Sequence, residues 1–221
     1  MSGAARIALI HALGQSQAPV EAEFERSWPE AVRMHLLDDS LSGDVARGVE
    51  PTGPQMMARF ATLADYAMAT GADGILFTCS AFGPCIDAVK ARWPEVPILK
   101  PGEAMIDEAA TLGRRIGLVA SFAPTLATMP AEFPASVSVV PFHAVGALDA
   151  LAGGDADAHD RIVAAAAEAA YASGCDVIAL AQFSIARAAS AVQARVDVPV
   201  LTTVASAVGA LRARIALRAT G

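Results

Sequence analysis

The chain has 221 residues, enough to bury a full hydrophobic core as one domain or as two small lobes. Its net charge of −7 argues against nucleic acid or an anionic membrane as a partner. Over half of it is apolar but only 5% is aromatic, so Ala, Val, Leu and Ile must build the interior, a diet suited to helices packed closely on a buried parallel sheet.

Short apolar runs alternate with longer helical patterns. In chain order, strands are expected at residues 6–10, 32–37, 74–77, 97–99, 115–119, 136–140, 177–180 and 199–201. Helices are expected at 19–28, 54–70, 84–92, 102–112, 158–172, 185–195 and 205–217, several opening on Pro or an acidic first turn. This alternation reads as a parallel α/β fold. The apolar run 7–10 is too short to span a bilayer, and the opening "MSGAARIALI" lacks a signal-peptide cleavage region. Three cysteines, Cys79, Cys85 and Cys175, are odd in number and lack C-x-x-C spacing. That pattern fits a reducing cytoplasm and no disulfide framework or zinc site. His11, His35, His143 and His159 are scattered without H-x-x-x-H spacing, so no metal is expected.

The two halves echo each other. "ADGILFTCSAFGPCIDAVKARWPEVPIL" finds its counterpart in "CDVIALAQFSIARAASAVQARVDVPVL", with Asp73 matching Asp176 and Ile75 matching Ile178. The helix endings at Arg92 and Arg195 coincide, and upstream "RIALIHALG" echoes "RIGLVASFA". The repeat implies two Rossmann-like lobes with parallel sheets, related by a pseudo-twofold axis, with an active site expected in a cleft between them. The expected boundaries are 1–104 for the first lobe and 105–204 for the second. Residues 205–221 are expected to form a last helix packing back on the first lobe. Ligands in such sheets bind beyond the carboxyl ends of strands, which singles out Cys79 and its repeat partner Gln182.

Cys79 follows a buried strand and precedes a helix start, where unpaired N–H groups favour an anion and depress a thiol pKa. Ser80 and the amides of Ser80 and Ala81 can hold a carboxylate. The competing reading is a buried structural cysteine. Cys85, within a helix, and Cys175, before a strand, read as structural. No nucleophile elbow is present, because Phe77 and Ala81 stand where glycines are required. No dinucleotide or phosphate loop appears either.

Two lobes related by a repeat, with "FTCSAFG" at a strand end of the first, resemble the aspartate/glutamate/hydantoin racemase superfamily, which also holds maleate isomerases and arylmalonate decarboxylases. The resemblance implies an enzyme without cofactor in which two cysteines, one per lobe, move a proton on opposite faces of the carbon alpha to a carboxylate. Cys79 matches the first of these and Ser80 its carboxylate-gripping neighbour. Within "IGLVASFAPT", Ser121 and Thr125 match the corresponding loop of the second lobe. The second cysteine should stand at or beside Gln182 in "ALAQFSIAR", and it is absent; Gln182, Phe183 and Ser184 are left as substrate-binding candidates. Glutamine has no titratable proton in the useful range, and Ser184 is a poor base unless activated.

His11 closes the first strand and is the candidate for the missing acid/base, against the alternative of a strand-end histidine bonded to backbone. His143 has a weaker claim, Lys100 is either a carboxylate partner or a surface lysine, and His35 and His159 read as structural. The expectation is a cytoplasmic, cofactor-independent racemase or isomerase acting on a small carboxylate-bearing substrate. The alternatives are a single-thiol decarboxylase or other lyase, and a non-catalytic small-acid binding protein. Homo-oligomerisation is left open.

Overall fold

The computed structural model describes residues 4–220, with side chains up to residue 218. Tertiary contacts divide the chain into two units, one running to Pro101 and resuming at Ala207, the other Gly102–Ser206.

The first unit contains β1 (Arg6–His11), α1 (Gln17–Ser27), β2 (Val32–Leu37), α2 (Ser40–Ala46), α3 (Pro54–Ala69), β3 (Gly74–Phe77), α4 (Gly83–Arg92) and β4 (Ile98–Leu99). Its sheet has the order β2-β1-β3-β4 and every pairing is parallel. Ile7–Ile10 and Gly74–Phe77 are wholly buried, as central strands covered on both faces must be. Proline in the first turn of α3 and of α4 pre-sets the helical φ at a position that needs no N–H donor. On one face Phe60 of α3 meets Phe77 at 5.4 Å and Phe82 at 4.9 Å between ring centroids, gathering three phenylalanines in one cluster.

The second unit contains α5 (Glu103–Leu112), β5 (Arg115–Ala120), α6 (Ala123–Thr128), β6 (Ser138–His143), α7 (Ala147–Ala152), α8 (Ala156–Ala172), β7 (Val177–Leu180), α9 (Ala189–Gln193) and β8 (Val200–Thr202). Its sheet repeats the order of the first as β6-β5-β7-β8, again all parallel. Helix α8 opens on Asp155, whose carboxylate accepts the Ala158 amide hydrogen at 2.9 Å. Ala164, Ala167 and Ala170 of this helix are fully buried. Their small side chains let α8 lie close on β5, where a Cβ on Gly117 would come within 2.7 Å of the Ala170 methyl.

The last helix, α10 (Thr203–Thr220), passes from one unit's residues to the other's between Ser206 and Ala207. Beyond that point Arg212 donates to the Ser27 carbonyl at 2.7 Å, and a Cβ on Gly74 would sit 3.0 Å from both Leu211 and Ile215.

All eight expected strands are present. The sixth runs Ser138–His143, past the expected stop before Pro141. Proline lacks an N–H for the ladder, but β6 is an edge strand and loses nothing on its open side. Three short helices, α2, α6 and α7, were not expected; six or seven residues are too few to establish a helical period. The helix expected at 185–195 begins as a 3₁₀ turn, Phe183–Ala188, before α9. Ile185 and Ala188, three residues apart, share the buried side that a three-residue period provides.

The repeat also reuses one local device. Asp73 accepts the Arg6 amide hydrogen at 2.8 Å, ahead of β3 and at the start of β1. Asp176 accepts those of Arg114 and Arg115 at 2.9 and 3.0 Å, at the start of β5. Each carboxylate caps the amino end of the neighbouring strand.

Candidate active site

In the first unit the β3 ladder continues one residue, Thr78 donating its amide hydrogen to Ile10 at 3.0 Å. Cys79 follows in extended backbone (φ −122°, ψ 123°) and caps a 3₁₀ turn, Ser80–Phe82, that leads into α4. Phe82 is buried in the core while Ser80 and Ala81 are exposed, so the turn anchors through one ring and presents the other two residues. Cys79 is half-buried, packed on the core along one side. Burial pushes its thiol above the ordinary cysteine range, and a hydrogen bond from the Ala81 amide only partly offsets this. The depressed pKa expected from the helix start is thus not what the structure gives: desolvation outweighs the one amide aimed at the sulfur. Cys85 and Cys175 are buried, the former with its Sγ 3.5 Å from the Pro51 carbonyl. Lys100 is taken up by Asp87, 3.1 Å away.

His11 does not open onto a strand-end space; it is fully buried, with both ring nitrogens engaged. Its Nδ1 lies 2.9 Å from Ser16 Oγ and 2.9 Å from Thr78 Oγ1. Its Nε2 lies 3.0 Å from Nδ1 of His35, with ring centroids 5.1 Å apart and planes 10° from parallel. That separation is what a single N···N bond leaves between two rings lying edge to edge. The other nitrogen of His35, Nε2, reaches Glu21 Oε2 at 3.1 Å, and Arg33 holds Glu21 at 2.6 Å. Burial, with the nearby His35 adding to it, lowers the His11 pKa to about 4. His35 and Glu21 carried no signal in the sequence as partners, because one lies mid-strand and the other mid-helix.

In the second unit Gln182 lies just beyond β7 and is half-buried. Its Oε1 accepts three hydrogen bonds, from the Ser121 amide at 2.7 Å, the Ser121 hydroxyl at 3.0 Å and the Phe122 amide at 3.2 Å. Two of these donors are backbone N–H groups, which fixes which end of the carboxamide faces them. The Ser121 donors expected to grip a substrate carboxylate are therefore used within the chain. His143 Nε2, exposed at the end of β6, donates to the Ser121 carbonyl at 3.3 Å. Thr125 and Phe183 are buried, and Ser184 is half-buried.

A profile of the Asp/Glu/hydantoin racemase family matches residues 19–211. The chain belongs to that family. Solved structures support the fold. An aspartate racemase homologue from Pyrococcus horikoshii OT3 superposes with a TM-score of 0.73 at 16% identity, covering 97% of this chain and 99% of its own. Allantoin racemase from Klebsiella pneumoniae gives 0.70 at 18% identity, covering 97% and 89%. A glycine-to-cysteine variant of arylmalonate decarboxylase in its sulfate-associated form gives 0.69 at 18% identity, covering 96% and 93%. No curated protein sequence matches the chain. Among the described residues no helix is long and apolar enough to cross a membrane, and no group of three or more His, Cys, Asp or Glu could hold a metal ion.

Proposed function

We propose that this family member is a cofactor-independent cytoplasmic isomerase or racemase that moves a proton at the carbon alpha to the carboxylate of a small acid. The observation that carries the reading is Cys79: the one thiol not buried, at the carboxyl end of a central strand, with the Ala81 amide on its sulfur. A hydrogen bond to sulfur stabilises the thiolate that must form whenever the thiol gives up its proton. Ser80, exposed on the same turn, is positioned to hold the substrate carboxylate. Of the second-unit candidates, Gln182 through its free amide end and Ser184 remain available for binding. Ser121 is occupied by Gln182, and Thr125 and Phe183 face inward. Cytoplasmic residence accords with three unpaired cysteines.

A second reading, a single-thiol lyase that releases carbon dioxide and protonates the resulting carbanion, is favoured by two observations. The Cys79 pKa is raised, so the resting group is a thiol ready to donate. Gln182, at the position where the resemblance places a second thiol, has no titratable proton in the useful range.

Incubating the protein in deuterium oxide with small dicarboxylates, amino acids and hydantoins tests both. Deuterium entering the alpha carbon with loss of optical rotation supports the isomerase. Carbon dioxide release supports the lyase. Binding with neither leaves a small-acid binding protein and removes the catalytic reading.

A further inference from the structure

Five of the eleven large hydrophobic side chains exposed among the described residues stand at or just beyond the carboxyl end of a strand. In the first unit Leu13 is 47% exposed, two residues past β1, and Leu37 is 45% exposed as the last residue of β2. A Cβ on Gly14 would lie 4.0 Å from the Leu37 side chain, so Leu37 reaches the turn that carries Leu13. The second unit does the same. Phe122, 49% exposed, takes the place of Leu13 in the echo of "RIALIHALG" by "RIGLVASFA". Ala120 pairs with His143 in the sheet, and Phe122 and Val145 each follow two residues beyond that pair. Val145 is 70% exposed, and Leu148 in the first turn of α7 is 44% exposed. Single exposed hydrophobics need no explanation, but here each unit keeps one at the same repeat position, at the sheet end where ligands bind. The Phe122 amide also donates to Gln182, which sets this ring beside a substrate-binding candidate.

The cations that reach these strand ends are already paired. Lys100, just past β4, is held by Asp87 at 3.1 Å. Arg59 is held by Asp38, just past β2, at 2.6 Å and by Asp44 at 2.5 Å. Arg187, in the turn after β7, is held by Asp160 at 2.9 Å. A second carboxylate on the substrate would have to compete with these side chains for its counter-charge. We infer that the substrate is a small acid whose alpha carbon carries an apolar group, aryl-bearing or branched alkyl, and that Leu13 and Phe122 select that group. The inference rests on the proton-transfer reading above and names the substrate class for it. An apolar substituent covers the exposed side chains and releases the water on them. A carboxylate in its place would lose its own water against hydrocarbon and gain no partner, and such a mismatch discriminates strongly.

Matched pairs of acids test this, each pair sharing its alpha carbon and differing only in the substituent. Phenylalanine is set against aspartate, and 2-methyl-3-phenylpropanoate against methylsuccinate. The ring stands one methylene away from the alpha carbon, so it does not itself acidify the alpha hydrogen. Binding is read by ligand-observed NMR, and turnover by deuterium entering the alpha carbon. In at least one pair the phenyl member should bind or exchange about 10-fold better or more, the scale of discrimination by an apolar contact. Leu13→Ala and Phe122→Ala should each reduce that preference about 3- to 10-fold, and neither touches a buried side chain. Phe122→Arg supplies an unpaired cation and should move the preference toward the dicarboxylate member. Equal or better binding of the dicarboxylates by the wild type would overturn the substrate class and leave proton transfer standing. Binding of neither member in both pairs would also overturn it, while exchange on any other acid would still uphold proton transfer. Sedimentation supplies the last arm: if the alanine variants change the oligomeric mass and not the preference, the apolar residues meet a second copy of the chain and the inference fails.

Discussion

The carboxamide oxygen of Gln182 accepts the Ser121 amide hydrogen at 2.7 Å, tying the carboxyl end of β7 to that of β5. With the Ser121 hydroxyl and the Phe122 amide it forms a three-donor site filled by the chain's own side chain. Gln182→Ala leaves two backbone N–H groups without this acceptor, and should cost about 1–3 kcal/mol in urea unfolding. Gln182→Glu keeps an acceptor in place and should retain most of that stability at neutral pH. Equal losses in the two variants would show that the oxygen's bonds do not hold the loop.

His11 makes stability depend on pH in a defined direction. Unfolded, the ring takes up a proton near 6.5, but burial, with His35 adding to it, delays this to about 4 in the folded protein. Between those values the unfolded chain binds more protons, so stability rises with pH across the window and falls as acid is added. At about 1.4 kcal/mol per unit, the contribution lost by pH 4 is on the order of 3 kcal/mol. Urea titrations at pH 7, 6, 5 and 4 should show this slope in the wild type and a shallower one in His11→Gln. An identical slope in the variant would assign the acid sensitivity to other groups.

Cys79 should label first with iodoacetamide, because Cys85 and Cys175 are buried. Its raised pKa means that the rate should still be climbing above the range where an ordinary thiol levels off. Mass spectrometry mapping equal early modification at Cys85 would contradict the exposure order.

Cys79→Ser should fold normally, since the hydroxyl is nearly isosteric and the residue is only partly packed. Turnover should fall about a hundred- to ten-thousand-fold, because a serine is a far weaker acid than a thiol at neutral pH. Near-full activity in the serine variant would make the thiol a bystander.

Gly117→Ala tests the close approach of α8 to β5. The added methyl meets the Ala170 side chain at 2.7 Å, well inside contact distance, and neither element can move without disturbing the sheet. Overpacking of this kind should cost about 1–3 kcal/mol. Gly209, whose Cβ would meet nothing within 4 Å, is the control; alanine there should be neutral or slightly stabilising.

The strand runs, the helix starts at proline and the two-copy repeat were legible in the sequence because each depends on neighbours within one element. Continuous apolar strand runs, longer helical patterns, first-turn proline and matched Asp73 and Asp176 are local patterns that a parallel α/β fold cannot avoid writing into its chain. Cys79 was legible for the same reason, since a strand end and a helix start bracket it. What it does electrostatically was not. The sign of its pKa shift depends on how deeply neighbouring elements bury the sulfur, and here burial outweighs the Ala81 amide. The line from Glu21 through His35 to His11, and the closing of Ser121 by Gln182, join side chains that stand 14, 24 and 61 positions apart. No local pattern marks such pairs. Only the parallel register of the strands, laying His11 and Leu37 side by side and Thr78 against Ile10, brought those nitrogens and oxygens within hydrogen-bonding distance.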